Sequence, residues 1–394
     1  MSVSVSSRMT RVKPSPTGAV LSLATKLKAE GRDIVDLGAG EPDFDTPDHI
    51  KAAAQKAIVD GHTKYTPIDG TADLKAAIQR KFERENGLDY DASQIVVSSG
   101  AKQSLFNLCL AVLGPGDEAI IPGPYWVSYP DMVKLAGADP VIIDTGIDAD
   151  FRITPAQLEA AITPKSRLLV LNSPSNPTGA SYTRAQLEAL GAVLDQHPDI
   201  VVVADDIYEH IYWADEPFTS FATACPGLFD RTVTTNGVSK AYAMTGWRIG
   251  YAAGPVELIK AMKLVQSQST SNPCSISQVA ATAALDGDQA PVREMAAAYK
   301  ARHDYFVAAL DALPGFECRA AEGTFYAFPR VAGALETTGI ADDTAMTERL
   351  IDEVSVACVP GAAFGAPGYL RFSYACSLET LKDAVDRIKR LLTA

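Results

Sequence analysis

The sequence of 394 residues is poor in cysteine and has no paired cysteine motif. Its six cysteines are scattered, without a Cys-x-x-Cys pair or the clustering of metal ligands. We therefore expect no zinc site and no disulfide framework, but buried thiols in a reducing compartment. The Ser-rich first 16 residues lack the apolar block of a signal peptide, and no run approaches the ~20 apolar residues of a transmembrane helix. We expect a cytoplasmic protein without a metal ion or a membrane anchor.

Positive charge is also in deficit, because 35 Lys and Arg stand against 48 Asp and Glu, a net charge of −13. Such a chain repels a phosphate backbone at long range, so nucleic acid is not an expected partner. Hydrophobic residues make up 47% of the chain and charged residues 21%, which is typical of a folded globular protein. The length allows two domains, or one large core with a smaller appendage.

Short apolar runs alternate with helical stretches over most of the chain, which predicts an α/β fold. Most of these runs are apolar on both faces, as strands buried between two helical layers require. Helices such as Lys102–Leu113 and Arg184–Gln196 separate them. We predict a mostly parallel seven-stranded sheet between helices, with strands at Gln94–Ser98, Glu118–Ile121, Asp139–Ile143, Arg167–Leu171, Ile200–Ala204, Thr232–Thr235 and Ile249–Ala253.

After Pro291 the pattern changes and predicts a smaller α+β domain. Its predicted elements are a long helix Val292–Leu313, hairpin-like strands around Phe316–Phe328 and Leu370–Tyr374, and a closing helix Leu378–Leu392. The first 47 residues contain one convincing helix, Gly18–Glu30, which we expect to pack with this later segment. The predicted division is therefore a large domain over 48–290 and a small domain formed by 1–47 and 291–394.

One lysine stands in a loop of small residues directly after a predicted strand. The segment from Ser239 to Gly250 reads SKAYAMTGWRIG and contains Lys240. A lysine that attacks a carbonyl must be accessible and partly desolvated, so that its neutral amine is populated. Arg248, eight residues later, could reach a phosphate group from the same loop. The alternative is a surface lysine in a flexible loop, which is the commoner case for an isolated Ser-Lys pair.

Two neighbouring strands of the predicted sheet also end on polar side chains. The fifth strand runs into Asp205, with Tyr208 three residues later, and the fourth runs into a turn that contains Asn176. Catalytic groups of α/β sheets cluster at the carboxyl ends of strands. A carboxylate there can pair with a protonated ring nitrogen, while Tyr208 and Asn176 can bind a phenolic oxygen. A helix cap and an ordinary turn are the alternatives, and Asp206 is expected to face the other way.

Three further segments are candidates for binding. Gly100, Ala101 and Lys102 lie between the first strand and a helix, where backbone N–H groups can bind an anion, although such turns often hold no ligand. No Walker loop or GxGxxG motif occurs, which argues against a dinucleotide. Trp126 could stack on a flat ring or belong to the core. Arg371 interrupts an apolar strand, where a guanidinium needs either a structural carboxylate or a substrate carboxylate.

Taken together and in order, these motifs resemble the class I aminotransferases, which are pyridoxal-phosphate enzymes of fold-type I. The resemblance runs essentially end to end. It rests on GAGEPDF at 38–44, KYTP at 64–67, PYW at 124–126, NPTG at 176–179, Asp205 to Tyr208, Ser239-Lys240, Arg248 and Arg371. The motifs VKPS at 12–15 and GAKQ at 100–103 are similar to those of bacterial aspartate aminotransferases, which include members that use prephenate.

The resemblance implies pyridoxal 5′-phosphate as the cofactor and a role for each candidate residue. Lys240 would hold the cofactor as a Schiff base and act as the general acid and base, with Asp205 and Tyr208 as the other catalytic groups. The implied cofactor contacts are Asp205 to the ring nitrogen, Tyr208 and Asn176 to the phenolic oxygen, Trp126 to the ring, and Arg248 with the backbone of Gly100, Ala101 and Lys102 to the phosphate.

The resemblance also implies how substrate and a second subunit contribute. Tyr65 would reach the phosphate from the other subunit, so the active unit would be a homodimer with shared sites. Substrate would lie near Trp126 and Asn176, with its α-carboxylate on Arg371 and Gly40 and its distal carboxylate on Lys102, Ser15 and Thr17. Gly237 departs from the family, because a phosphate-binding serine is common there, and its absence costs one hydrogen bond, about 1 kcal/mol.

The activity implied is an aspartate aminotransferase. It would exchange the amino group between L-aspartate and 2-oxoglutarate, with oxaloacetate and L-glutamate as products, by a ping-pong mechanism. A prephenate or aromatic amino acid aminotransferase is the first alternative. A carbon–sulfur β-lyase on the same scaffold is a second, and a non-catalytic binding or regulatory protein that retains the fold is a third.

Overall fold

A computed structural model describes residues 4–14 and 16–393 of the chain. The strands are β1 Val35–Asp36, β2 Ile95–Ser98, β3 Glu118–Pro122, β4 Asp139–Ile143, β5 Ser166–Asn172, β6 Val201–Asp205, β7 Thr232–Gly237, β8 Gly250–Ala253, β9 Tyr326–Ala327, β10 Val356–Ala357, β11 Val359–Pro360 and β12 Leu370–Ser373. The helices are α1 Pro16–Ala29, α2 Asp48–Val59, α3 Ala72–Lys81, α4 Ala101–Val112, α5 Ser128–Ala136, α6 Pro155–Ala161, α7 Arg184–Leu194, α8 Phe221–Ala224, α9 Val256–Ser267, α10 Ser275–Asp286, α11 Ala290–Asp311, α12 Ala332–Thr338, α13 Asp343–Glu353 and α14 Leu378–Thr393. Among these described helices, none has both the length and the apolar composition needed to cross a bilayer.

Seven strands form one sheet in the order β2-β8-β7-β6-β5-β3-β4. Only β8 runs antiparallel to its neighbours, β2 and β7. Successive residues of β2 enter different apolar clusters: Ile95 and Val97 pack with helices α2, α3 and α10, whereas Val96 packs with α4, α5 and α9. Both faces of the sheet are therefore covered by helices, which explains the apolar runs in the sequence. The predicted α/β class and all seven predicted strands are confirmed.

The later part of the chain forms two small sheets and their helices. Strand β12 pairs antiparallel with β9 and β11, and α11 and α14 share one apolar cluster with β9 and β12. Strand β1 pairs parallel with β10, so the first segment does contact the later one. The division at residues 48 and 291 stays a prediction.

The hairpin expected around 316–328 is much shorter than predicted. Only Tyr326 and Ala327 form a strand there, and Glu317 makes a single bridge to Arg330. Thr324 has a φ of 68°, a left-handed conformation that interrupts an extended run. The apolar residues of this segment are buried, but they pack as a coil against the small sheet.

The register of the large sheet brings three strand ends to one edge. Asn172 at the end of β5 is paired with Asp205 at the end of β6, and Asp205 is paired with Thr235 in β7. Strand β7 ends at Gly237, three residues before Lys240. Because these strands are parallel, their carboxyl ends open on the same side of the sheet, where ligands of α/β proteins bind.

Candidate active site

A cavity of about 410 Å³ lies at this edge of the sheet. Segments that are far apart in sequence meet around it. Of the predicted site residues it is lined by Thr17, Gly40, Ala101, Lys102, Trp126, Asn176, Asp205, Tyr208, Lys240, Arg248 and Arg371. Gly100 packs directly against Arg248 beside the cavity. Tyr65 is 92% exposed and does not line the cavity of its own chain. Ser15 lies outside the described residues.

Lys240 is half-buried in the loop that follows β7. Its ammonium donates a hydrogen bond to the carbonyl oxygen of Gly40 and lies 5.9 Å from the ring centre of Tyr208. Burial, followed by the positive charge of Arg371, lowers the pKa of Lys240 to about 8. At pH 7 roughly a tenth of the amine is therefore neutral and nucleophilic, far more than for an ordinary lysine, and imine formation with an aldehyde requires this neutral form.

Asp205 is buried at the end of β6, opposite the lysine loop. The hydroxyl of Tyr129 donates a 2.6 Å hydrogen bond to its Oδ2 atom. Burial raises the pKa of Asp205 to about 6, and the bond from Tyr129 opposes this rise. At neutral pH the group is a desolvated carboxylate, suited to pair with a cationic ring nitrogen. Asp206, the next residue, does not line the cavity.

Hydrogen bonds fix the amides and phenols of the cavity wall relative to Asp205. The side chain of Asn172 donates to the carbonyl oxygen of Asp205 at 2.8 Å and accepts from the backbone N–H of Asn176 at 2.8 Å. The hydroxyl of Tyr208 lies 3.0 Å from that of Tyr326 in β9. The turn after β5 and the small sheet are thereby joined to the strand end that carries Asp205.

Arg371 is only 2% exposed and has no carboxylate partner among the described residues. Its Nη1 donates to Asn176 Oδ1 at 3.0 Å and its Nη2 to the carbonyl oxygen of Gly38 at 2.8 Å, while Nε has no partner. The guanidinium also lies 4.4 Å from the ring centre of Tyr326. A buried cation that meets only neutral acceptors is costly unless an anion binds it. The cavity is therefore built to receive one.

A second anion position lies where α4 begins. Gly100, with a φ of 85°, caps the helix and leaves the first N–H groups of α4 open to a ligand. The guanidinium of Arg248 lies so close that a Cβ atom on Gly100 would stand 2.3 Å from Nη2. Glycine is required here because any side chain would displace that cation. Arg248 in turn donates to the carbonyl oxygen of Thr245 at 2.7 Å.

Trp126 and Lys102 lie in the same cavity as Arg371 and Arg248, and the Trp126 indole is suited to contact a flat ring. Trp126 packs edge-on against Tyr129, with ring centres 5.3 Å apart, and the ammonium of Lys102 lies 4.7 Å from the centre of the Trp126 ring. Burial, and then the charge of Arg248, lower the pKa of Lys102. Lys102 is, like Arg371, a cation that faces the cavity.

The departure at Gly237 has a structural cause. A Cβ atom there would stand 3.0 Å from the Cα of Gly250 and 3.0 Å from the carbonyl oxygen of Ile249. Strands β7 and β8 approach closely at this point, so a serine would fit only if the backbone of β8 moved slightly away.

These groups fit pyridoxal phosphate. The cradle formed by Gly100 and Arg248 suits a phosphate, Trp126 suits the ring, Asp205 suits the ring nitrogen, and Lys240 suits the aldehyde. The fit rests on the unpaired buried guanidinium and on a lysine with a depressed pKa in the same cavity.

The sequence analysis did not predict Tyr129, Asn172 or Tyr326. Asn172 ends a strand as Asp205 does, so the signal that identified Asp205 was also present there. Tyr129 belongs to the aromatic cluster around Trp126, but its bond to a distant strand end could not be deduced. Tyr326 comes from the small sheet, and no local pattern connects it with Tyr208.

Comparisons with known proteins agree with this geometry. The chain is 54% identical to the aspartate/prephenate aminotransferase of Nitrosomonas europaea, over 99% of this chain and 100% of the relative. Its structure matches the aspartate aminotransferase from Rhizobium meliloti with a TM-score of 0.96 and 49% identity, covering 100% of this chain and 99% of the other. The aspartate aminotransferase from Thermus thermophilus with maleate matches with a TM-score of 0.93 and 44% identity, over 99% and 100% of the two chains.

The predicted family, fold and cofactor are confirmed by these comparisons. The family described as aminotransferase class I and II matches residues 32–388, almost the whole chain. The chain therefore belongs to the class I and II aminotransferases and is a pyridoxal-phosphate-dependent aminotransferase.

Proposed function

We propose that the protein transfers the amino group of L-aspartate to 2-oxoglutarate by a ping-pong route and that it also accepts prephenate. The observation that carries the proposal is the pair of cations, Arg371 and Lys102, that face one cavity without a carboxylate partner among the described residues. Aspartate, 2-oxoglutarate and prephenate are all dicarboxylates, and maleate, named with the Thermus thermophilus relative, is another. Lysine is a flexible point charge, which suits distal carboxylates at different distances.

Each cavity residue has a separate role in substrate binding or proton transfer. Arg371, with the backbone of Gly40, binds the α-carboxylate through its fork of donors and orients the α-carbon toward Lys240. The neutral amine of Lys240 takes the proton from the α-carbon of the substrate as a general base, and the resulting ammonium then donates that proton as a general acid. When bound, pyridoxal phosphate supplies the electron sink that stabilises the negative charge developing at the α-carbon. Lys102, with Thr17 and Ser15, binds the distal carboxylate.

The cofactor would be held by groups that surround the cavity. Asp205 keeps the ring nitrogen protonated, and Tyr208 and Asn176 donate to the phenolic oxygen. Trp126 supports the ring. Arg248 and the backbone N–H groups of Gly100, Ala101 and Lys102 bind the phosphate.

A second copy of the chain would complete each site. Tyr65 is 92% exposed, and Val59, six residues earlier at the end of α2, is 86% exposed. An exposed phenol and an exposed apolar side chain in one short segment suit burial by a partner. We infer a homodimer in which Tyr65 of each protomer reaches the phosphate bound by the other, and a cytoplasmic location in which the six free thiols stay reduced.

Steady-state rates with aspartate and 2-oxoglutarate, and with prephenate as the acceptor, test the proposal. We expect oxaloacetate from aspartate without release of ammonia. Stoichiometric release of ammonia or pyruvate in place of amino transfer would favour a lyase. No turnover of any dicarboxylate would refute the proposed substrates.

A further inference from the structure

A buried polar network centred on Glu209 lies next to the active site without lining its cavity. Its four members are Glu209, Lys81, Asn86 and Asn236, which are at most 7% exposed. The Oε1 atom of Glu209 accepts from the ammonium of Lys81 and, at 2.7 Å, from Asn236. Its Oε2 atom accepts from Asn86 at 2.8 Å, and Lys81 also donates to Asn86 at 2.8 Å. We call these four residues the Glu209 network.

Stability alone does not explain such a network. A buried ion pair must overcome the desolvation of both charges, and replacing it with apolar residues is often neutral or stabilising. Burial raises the pKa of the Glu209 carboxyl, but the charge of Lys81, then that of His210, and the hydrogen bonds from Asn86 and Lys81 outweigh burial and leave this pKa below its usual range. The ion pair of Glu209 and Lys81 instead provides directed hydrogen bonds, and these bonds fix the relative positions of the chain segments that contain the four residues.

The segments joined by Glu209 are those that carry the catalytic groups. Glu209 follows Tyr208 directly and Asp205 by four residues, whereas Asn236 precedes Lys240 by four residues. The hydrogen bond between Asn236 and Glu209 therefore connects the loop after β6 with the end of β7, and both segments lead to residues that line the cavity.

The third segment joined by the Glu209 network is a π-helical turn, Phe82–Asn86, which directly follows α3. In an α-helix two residues five positions apart point in directions that differ by ~140°. The wider turn brings Lys81 and Asn86 to the same carboxylate. Such turns are uncommon and are often found at functional sites, which agrees with a role for this one beside the active site.

We propose that Glu209 is a positioning residue that holds the loop of Asp205 and Tyr208 in register with the loop of Lys240. This inference rests on the proposed function, because it assigns Glu209 a role in the same reaction. Glu209 does not line the cavity, so it acts through the groups on either side of it.

Two variants test the proposal on the holoenzyme. The double variant Lys81→Met/Glu209→Gln removes both charges of the buried pair; Glu85, which lies 3.6 Å from Lys81, keeps its contacts with Arg84 and His210. Asn236→Ala removes the link to β7 while the ion pair remains. In both we expect kcat to fall by about ten- to a hundredfold with a much smaller change in KM, because small displacements of catalytic groups slow the reaction. We also expect the midpoint of the pH titration of the bound cofactor's visible absorbance to shift.

Arg231→Met is the matched control. The Arg231 guanidinium donates to the carbonyl oxygens of Leu194, His197 and Ile200, at the amino ends of β6 and β7, the same two strands. We expect a lower Tm in this control, with kcat and the titration midpoint unchanged.

Each variant is measured at a temperature where it is folded. If kcat and the midpoint of the absorbance titration are unchanged in either the double variant or Asn236→Ala, Glu209 is not a positioning residue. If the double variant does not accumulate, Asn236→Ala decides. If the wild-type protein transfers no amino group, the proposed function fails, and the spectroscopic midpoints of variant and wild type still decide the inference.

Discussion

Replacing Arg371 with lysine is the sharpest test of how substrate is bound. Arg371→Lys keeps the positive charge in a position that is 2% exposed, but it loses the planar fork that can hold both oxygens of a carboxylate. Lysine cannot reach the substrate carboxylate while also keeping the contacts to Asn176 and Gly38. One charge-assisted hydrogen bond is lost, which is worth about 1.5–3 kcal/mol. We therefore expect kcat/KM for aspartate to fall by roughly 10- to 150-fold.

Stopped-flow measurement of the half-reaction with aspartate gives this ratio directly. Methylamine, which has no carboxylate, is the control reactant, and its rate with the bound cofactor should be the same in variant and wild type. A variant whose kcat/KM for aspartate stays within about threefold of wild type would show that Arg371 does not anchor the α-carboxylate. A proportional loss with methylamine would show that the substitution damages the site as a whole.

Three other substitutions or conditions test separate parts of the account. In Lys102→Ala we expect kcat/KM for aspartate to fall by about tenfold or more while that for phenylalanine changes little, measured side by side; equal losses would remove Lys102 from the distal site. In Tyr129→Phe the pKa of Asp205, about 6 in the wild type, should rise by about one to two units. As the pH is lowered, the apoenzyme should then lose affinity for pyridoxal phosphate at a higher pH in the variant than in the wild type, since Asp205 must be charged to pair with the ring. Fluorescence titration measures this affinity, and coincident pH profiles for variant and wild type would contradict the prediction. Finally, the rate at which the apoenzyme takes up the cofactor should rise with pH through about 8, the pKa of Lys240, because only the neutral amine attacks; a midpoint near the ordinary lysine value of 10.5 would contradict the depressed pKa.

The large sheet was predictable because its strands are buried on both faces and read as continuous apolar runs. The seven runs, and the helices between them, needed no knowledge of distant contacts. The two-residue strands carry no periodicity: β9 lies within the segment predicted to form strands but was not located there, and β1, β10 and β11 were not predicted. Residues of β1, β9 and β10 lie in one apolar cluster with α11 and α14, a set of contacts between distant segments.

The site was predictable where chemistry coincides with a strand end, as at Asp205 and Lys240. It was not predictable where the partner comes from elsewhere in the fold. The bond from Tyr129 to Asp205 spans 76 residues, and that between Tyr208 and Tyr326 spans 118. The role proposed for Tyr65 depends on a second chain, which no single-chain pattern encodes.

The most direct test is to identify the side chain that binds the cofactor covalently. Borohydride reduction of the yellow holoenzyme, followed by proteolysis and mass spectrometry, should place one pyridoxyl group on the peptide that contains Lys240. A pyridoxyl group on another lysine, such as Lys102, or a protein that takes up no cofactor at saturating concentration, would contradict the account.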